Sequence, residues 1–240
     1  REAIHNGESS LDSADAVPVR TMPPGSLEQV VFRMDALARV EASGKPVLNS
    51  PKSLECAVDK FLTTARLQAE GLLTPETIVC ESADAAVEAF EELGRDVVVK
   101  PIFGAEGRGI LRVSDPDLAV RAFRTLERLQ TVLYLQRYID HPGFDVRILV
   151  LDGRVLGAIR RFGNGDFRTN VSRNGTAQPY LANDREIEAA LRAARATGAR
   201  FAGVDLLSDR EGRQYVIEVN AVPGWMALAH GRGKLQGLVF

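Results

Sequence analysis

Residues 201–223, FAGVDLLSDREGRQYVIEVNAVP, leave the chain few folds to choose from. Residues 201–208 and 213–219 are β-rich runs, and Asp209-Arg210-Glu211-Gly212 between them is turn chemistry, so the stretch reads as a β-hairpin. If those residues form the loop, Asp205 opposes Val216 and Gly203 opposes Glu218. Asp205 and Glu218 are then diagonal neighbours on one face. Asn220 shares their parity and continues that face. The other face carries Val204, Leu206, Tyr215, Ile217 and Val219, an apolar set suited to a core. The pleat thus separates a greasy side from one bearing two carboxylates and an amide. Such oxygen donors suit Mg²⁺, which takes one or two carboxylates and completes its octahedron with water and phosphate oxygens. A solvated hairpin face is the alternative reading of this segment by itself.

A chain of 240 residues can form one large domain or two lobes, each with its own core. Its net charge of −2 offers no basic stripe for nucleic acid. No apolar run approaches the roughly 18 residues of a membrane span, and no signal-peptide pattern opens the chain. Cys56 and Cys80 lie far apart without metal-site spacing, as structural thiols in a cytoplasmic protein do. The chain opens on Arg1, as a processed chain or a fragment does.

A strand–helix–strand pattern comes first: residues 17–20, a helix from Ser26 with the capping box Ser26/Gln29, and the extended link 46–49. Leu27, Val30, Val31, Met34, Leu37 and Ala38 form the apolar stripe of that helix. A helix over 52–70 follows, then a strand at 76–80 and a helix from Ser82 to Leu93. Residues 97–100 form a strand that ends in Lys100. A glycine-bearing loop and a strand at 110–113 come next, then a helix opened by Asp115-Pro116. Residues 132–137 are a strand, and 145–151 with 154–161 form a hairpin through Asp152-Gly153. A polar loop spans 163–169, and Asn183 opens an Ala-rich helix to about 197. His5, His141 and His230 show no ligand spacing and are expected at the surface. Trp225 is expected to anchor the loop behind the hairpin.

Glycines at 104, 107 and 109 let backbone N–H groups approach phosphate closely. The loop is not a Walker A motif, because Lys100 precedes the glycines and the chain returns into a strand. Nor does its spacing match the dinucleotide fingerprint. A flap over a nucleotide fits better, with a plain turn as the alternative.

Val58-Asp59-Lys60, Val99-Lys100-Pro101 with its glycine flap, Gln136-Arg137-Tyr138-Ile139, Asp145-Val146-Arg147, Asp166-Phe167-Arg168-Thr169-Asn170, Gly203-Val204-Asp205 and Glu218-Val219-Asn220-Ala221-x-Pro223-Gly224 occur in the order found in ATP-grasp enzymes. Over residues 48–225 the chain resembles the RimK-type α-L-glutamate ligases. Residues 19–34 resemble the end of the amino-terminal domain in the tetrahydromethanopterin α-L-glutamate ligase branch.

The resemblance implies an α+β, ATP-grasp fold of two lobes clasping ATP. Residues 1–50 would be a remnant of a preceding α/β domain, 51–136 the smaller lobe with the flap, and 137–240 the larger lobe with the metal site. Lys60 and Lys100 would contact the nucleotide phosphates, and Gly104, Gly107 and Gly109 would cover them. Arg137 and Tyr138 would lie on the hinge whose backbone reads adenine, and Asp145 would bind ribose. Arg168 would act in catalysis at the γ-phosphate and the acyl-phosphate, beside Thr169 and Asn170. Asp205, Glu218 and Asn220 would hold Mg²⁺, with Mn²⁺ as a second candidate cation. The implied reaction joins a glutamate-like amino acid to a carboxylate acceptor, either a small molecule or a protein tail, through an acyl-phosphate. A different amino acid or carrier, and a nucleotide-binding module without ligase activity, are the alternatives. The resemblance leaves room for a homo-oligomer. Two departures stand out: Arg137 replaces a frequently acidic hinge residue, and Ile159-Arg160-Arg161 lacks the acidic residue that can precede the arginine pair.

Overall fold

Alternation along the strands decides which side of each sheet is packed and which is left for chemistry. The structure, a computed structural model, describes residues 4–104, 109–163 and 176–224. β1 (His5–Asn6) and β2 (Ser9–Ser10) make a short antiparallel ribbon. β3 (Val17–Pro18), α1 (Leu27–Ala42) and β4 (Val47–Leu48) form a β–α–β unit with parallel strands, matching the expected strand–helix–strand pattern. Ser26 and Gln29 close the expected capping box. The stripe on α1 is only partly covered. Val30, Met34 and Leu37 pack inward, whereas Leu27 and Val31 face solvent.

The helix expected over 52–70 is two helices, α2 (Pro51–Val58) and α3 (Lys60–Ala69). Asp59 between them has an extended backbone, and its Oδ1 accepts from the Leu62 N–H at 3.0 Å to cap α3. An aspartate offers backbone donors an alternative to the helix, so it interrupts a pattern that looks continuous. The break makes Lys60 the first residue of α3.

β5 (Thr77–Cys80), α4 (Ala83–Glu92), β6 (Val97–Lys100), β7 (Leu111–Val113), α5 (Pro116–Arg128) and β8 (Leu133–Arg137) follow. Their strands form an antiparallel sheet in the order β5-β8-β6-β7. On one face Val97, Val99, Val113, Leu133 and Leu135 pack against Phe90 of α4 and Phe123 of α5. The opposite parity puts Thr77, Tyr134, Gln136, Val98 and Lys100 on the other face.

β9 (Phe144–Leu151), β10 (Arg154–Phe162), β11 (Thr176–Tyr180), α6 (Asp184–Thr197), β12 (Phe201–Ser208) and β13 (Gln214–Asn220) complete the chain. The larger sheet has the order β11-β10-β9-β12-β13. Asp152 and Gly153 turn between β9 and β10 with φ of 47° and 71°, the left-handed pair that a tight hairpin needs. β11 is absent from the sequence reading because Pro179 and polar residues mask it; an edge strand tolerates that proline. Ala190, Ala193 and Ala194 of α6 pack on Val146, Ile148, Val150, Val204, Leu206, Val216 and Val219. Leu54, Leu67 and Leu72, expected with the smaller lobe, share this larger core.

The β12–β13 register departs from expectation. Gly203 pairs with Asn220, Val204 with Val219 and Asp205 with Glu218, after which the register shifts so that Leu206 pairs with Val216. Ile217 is the extra residue of a β-bulge. The loop is also longer than the four residues expected: Asp209 N–H donates to Arg213 O at 3.0 Å, and Gly212 turns at φ 81°. Val216 therefore joins the core in place of Tyr215 and Ile217, and the two acids stand directly opposite rather than diagonal. His141, expected at the surface, is buried, and its Nδ1 accepts from the Gly143 N–H at 3.2 Å.

Asn49, buried just after β4, ties the hairpin to the preceding unit. Its Nδ2 donates to Phe201 O and to Ala221 O, each at 2.6 Å, and its Oδ1 accepts from Phe201 N–H at 2.8 Å. Asn49→Ala leaves three backbone groups without this partner, and each buried unsatisfied group costs about 1–3 kcal/mol. The expected loss in urea unfolding is therefore about 3 kcal/mol or more. A loss under about 1 kcal/mol would show that these bonds do not anchor the hairpin.

Candidate active site

Lys100 ends β6 on the polar face of the smaller sheet. Its Nζ donates to Gln136 Oε1 at 2.5 Å. Burial pulls its pKa down to about 8, opposed by the charges of Glu218 and Asp205 and reinforced by Lys60. Lys60 is lowered by burial too, opposed by Glu218 and Asp59. Glu218 belongs to the larger sheet, so its field on both lysines places the two polar sheet faces across one cleft.

The first residues of the glycine-bearing loop rest on the helix break. Lys60 N–H donates to Ile102 O at 3.3 Å, and Lys60 Nζ donates to Gly104 O at 3.0 Å. A Cβ at Gly104 would lie 3.1 Å from Pro101 Cγ, and Gly109 adopts φ 72° against the same ring. Gly107 lies outside the described residues, as do Arg168, Thr169, Asn170 and Trp225.

On the larger sheet, β10, β9 and β12 carry a ladder of buried ions. Arg161 donates to Asp145 through Nε at 2.7 Å and Nη2 at 2.5 Å, and its Nη2 reaches Asp205 Oδ2 at 2.8 Å. Arg147 grips Asp205 through Nε at 2.6 Å and Nη2 at 2.7 Å. Like charges directly opposite on a sheet repel. Asp205 faces Glu218 in that way, and the two guanidiniums neutralise it. Burial would push the Asp205 carboxyl up, but Arg147 and Arg161 outweigh it and hold it below the ordinary carboxylate range. Arg161 is pushed upward in turn: burial opposes its charge, and Asp205 and Asp145 overcome that.

Glu218 forms no ion pair among the described residues. Asn220 follows it on the same face, its Oδ1 accepting from Val222 N–H at 2.8 Å. Gly203 lies opposite Asn220, and a Cβ there would come within 2.9 Å of Pro223 Cβ. Among the described residues no group of three His, Cys, Asp or Glu side chains could hold a metal by itself. A hard dication that relies on water and phosphate oxygens fits this set. Glu218 supplies an uncommitted carboxylate, Asn220 an amide, and Asp205 the lone pairs that its arginines leave.

Other residues singled out from the sequence lie further out. The Arg137 guanidinium pairs with Glu76, and the ring of Tyr138 lies under Arg112 at 3.4 Å. Their backbone N–H groups donate to Glu76 O and Asp96 O, each at 2.9 Å. Arg160 is sandwiched between the rings of Phe144 and Tyr180. Sequence reasoning assigned no role to Gln136 or Tyr134. Their signal is parity, because both share a sheet face with Lys100.

The RimK-like ATP-grasp domain model matches residues 57–233. The chain belongs to the RimK-like ATP-grasp family. Among curated proteins it is similar to the tetrahydromethanopterin:alpha-L-glutamate ligases of Methanosarcina acetivorans and Methanocaldococcus jannaschii. The first is 37% identical over 84% of this chain and 65% of its own length, the second 32% identical over 92% and 76%. This ATP-grasp chain thus spans about two thirds of the first relative. Among solved structures it is similar to the ATP-grasp ligase PsnB complexed with minimal precursor, Mg and ADP. That structure is 26% identical with a TM-score of 0.65, covering 85% of this chain and 62% of that one. The α+β architecture described above is the ATP-grasp fold, and that fold implies ATP binding. No described helix is long and apolar enough to cross a membrane.

Removing one partner of a buried ion pair costs about 3–5 kcal/mol, because it strands the other charge. Arg161→Met is therefore expected to lower stability by about that much in urea unfolding near neutral pH. Ionised Asp205 contributes stability above its unfolded pKa of about 3.9, and loses it as pH falls through the lower folded value. Without Arg161 that loss is expected to begin at higher pH. An unchanged acid limb would contradict the ladder.

Proposed function

We propose that the chain is the ATP-binding and catalytic part of an ATP- and Mg²⁺-dependent carboxylate–amine ligase that joins L-glutamate, or a similar amino acid, to an acceptor carboxylate. One observation carries the reading. Lys60 and Lys100 on one side of the cleft oppose Glu218 and the Arg-clamped Asp205 on the other. Across this cleft Lys60, Lys100, Arg147 and Arg161 meet Asp59, Asp145, Asp205 and Glu218; the arginines are paired with acids, whereas neither lysine forms an ion pair among the described residues, which suits them to phosphate oxygens. The named relatives support glutamate as the amino acid.

In this reading Lys60 and Lys100 hold phosphate oxygens, with Gly104, Gly107 and Gly109 lining the flap above them. Arg137 and Tyr138 mark the hinge beside adenine. Asp145 anchors Arg161, and a ribose contact from it would compete with that bidentate pair. Arg168, Thr169 and Asn170 are assigned to the γ-phosphate. Glu218, Asn220 and Asp205 would hold Mg²⁺ or Mn²⁺, which supplies charge neutralisation at the phosphates. An acceptor carboxylate oxygen attacks the γ-phosphorus, the bond to the β-phosphate oxygen breaks, and ADP leaves. The amine then attacks the acyl carbon and expels phosphate. Phosphoryl transfer of this kind is mostly positioning and electrostatics, so it needs no side-chain nucleophile. Loss of one preorganised oxyanion-hole donor costs about 10²–10³ in acyl transfer, and the loss of a carboxylate that would hold the metal is expected to cost at least as much.

The test is ADP release with Mg·ATP, L-glutamate and a panel of carboxylate acceptors, including pterin conjugates and acidic peptides. Acceptor-dependent release is expected from wild type, and Glu218→Ala is expected to lower it at least about 10²-fold with the fold intact. Nucleotide binding without acceptor-dependent release would favour a binding module instead. Phosphate also favours the charged form of Lys100, whose pKa is about 8 in the free chain. Affinity for ADP is therefore expected to hold below that pH and to fall by up to about tenfold per unit above it, as binding comes to need proton uptake. A flat profile to about pH 9.5 would remove Lys100 from the phosphate site.

A further inference from the structure

Lys100 is not held by an acid. Its Nζ donates to the amide oxygen of Gln136, which is buried at 3% exposure and makes two further bonds through its Nε2, both at 3.0 Å. One goes to Thr77 Oγ1 and the other to the Tyr134 hydroxyl. The direction of each bond follows from its neighbour. Thr77 Oγ1 donates its only proton to Pro75 O at 2.8 Å, so it can only accept from Gln136. That fixes the amide with nitrogen toward Thr77 and oxygen toward Lys100. Tyr134 accepts the second Nε2 proton, which leaves its own proton for Thr64 Oγ1 at 2.8 Å. Thr64 lies on α3 one turn after Lys60, on the same side of the helix.

We propose that Gln136 is a positioning residue for nucleotide binding: its amide, locked by Thr77 and Tyr134, aims the Lys100 ammonium into the cleft and keeps it registered with the α3 turn that carries Lys60. This rests on the ligase reading of the same site, and it adds a role for side chains that stand behind the phosphate-facing lysines. The glutamine gives what an acid would not. A carboxylate at this position would pair with Lys100 and draw off charge meant for phosphate, whereas a neutral acceptor orients the ammonium and leaves its charge available. Three charged groups face Lys100 across the cleft or beside it, namely Glu218, Asp205 and Lys60. None of them bonds it directly among the described residues, so Gln136 alone sets its direction there.

The test uses the full chain, with Mg·ADP as the probe in calorimetric titration. Gln136→Met keeps length and bulk but cannot hold the ammonium. It is expected to weaken ADP binding by about tenfold or more, the usual worth of a hydrogen bond to a charged group. In a Lys100→Met background the same change is expected to cost less than about twofold, since Gln136 acts through that lysine. A second variant, Gln136→Glu, guards against a folding defect. It is expected to move the pH at which ADP affinity declines upward from about 8, while Gln136→Met moves it downward. Additive losses in the double variant, or shifts of the same sign in both single variants, would overturn the proposal and leave the nucleotide site standing. Failure of wild type to bind Mg·ADP would instead overturn the functional reading beneath it.

Discussion

The charge of Glu218 on the larger sheet acts on Lys100 of the smaller one, raising its pKa against the effect of burial. Each sheet buries one face under helices, Phe90 and Phe123 on the smaller and α6 on the larger. Each has a second face with polar side chains that an apolar partner could not satisfy. Burial works directly against the charges of Lys60 and Lys100 and lowers both pKa values, a poor outcome for folding alone. The opposing carboxylate offsets part of that cost, and an incoming polyanion would offset the rest. The arrangement is thus poised for binding, and the strain on its charges is local to the cleft.

Beneath the cleft the charges are managed differently. Arg161, Asp145, Arg147 and Asp205 satisfy one another through bidentate geometry, the strongest form available to a guanidinium. The ladder lets Asp205 stand opposite Glu218 without the repulsion that two free carboxylates would feel. It also distinguishes the two acids: Asp205 is tied into the framework by its arginines and keeps only its remaining lone pairs for a cation, whereas Glu218 forms no ion pair among the described residues. The same division holds on the other sheet, where Gln136, Tyr134 and Thr77 are framework and Lys100 is the group they present.

Parity made much of this legible in the sequence. Asp205, Glu218 and Asn220 do share a face, and Lys100 does end an otherwise apolar strand. The register of the last hairpin was not legible, because a bulge at Ile217 and a loop closed on Asp209 are backbone events that composition does not signal. The break at Asp59 was hidden inside a continuous apolar period, although an aspartate immediately before Lys60 is a capping signal in retrospect. β11 was hidden by Pro179, which only its edge position permits. The arginine pairings were out of reach for another reason. Arg161, Arg147 and Asp205 meet only because β9 lies between β10 and β12, and that neighbour order is a property of the whole sheet.

The claim that a carboxylate of the larger sheet faces a lysine of the smaller one is open to direct measurement. NMR titration of the Lys100 side chain in the nucleotide-free protein should give a pKa of about 8. In Glu218→Gln it should fall below that value, because burial and Lys60 then act with less opposition. A Lys100 pKa that stays the same when the Glu218 charge is removed would contradict the cleft as described here.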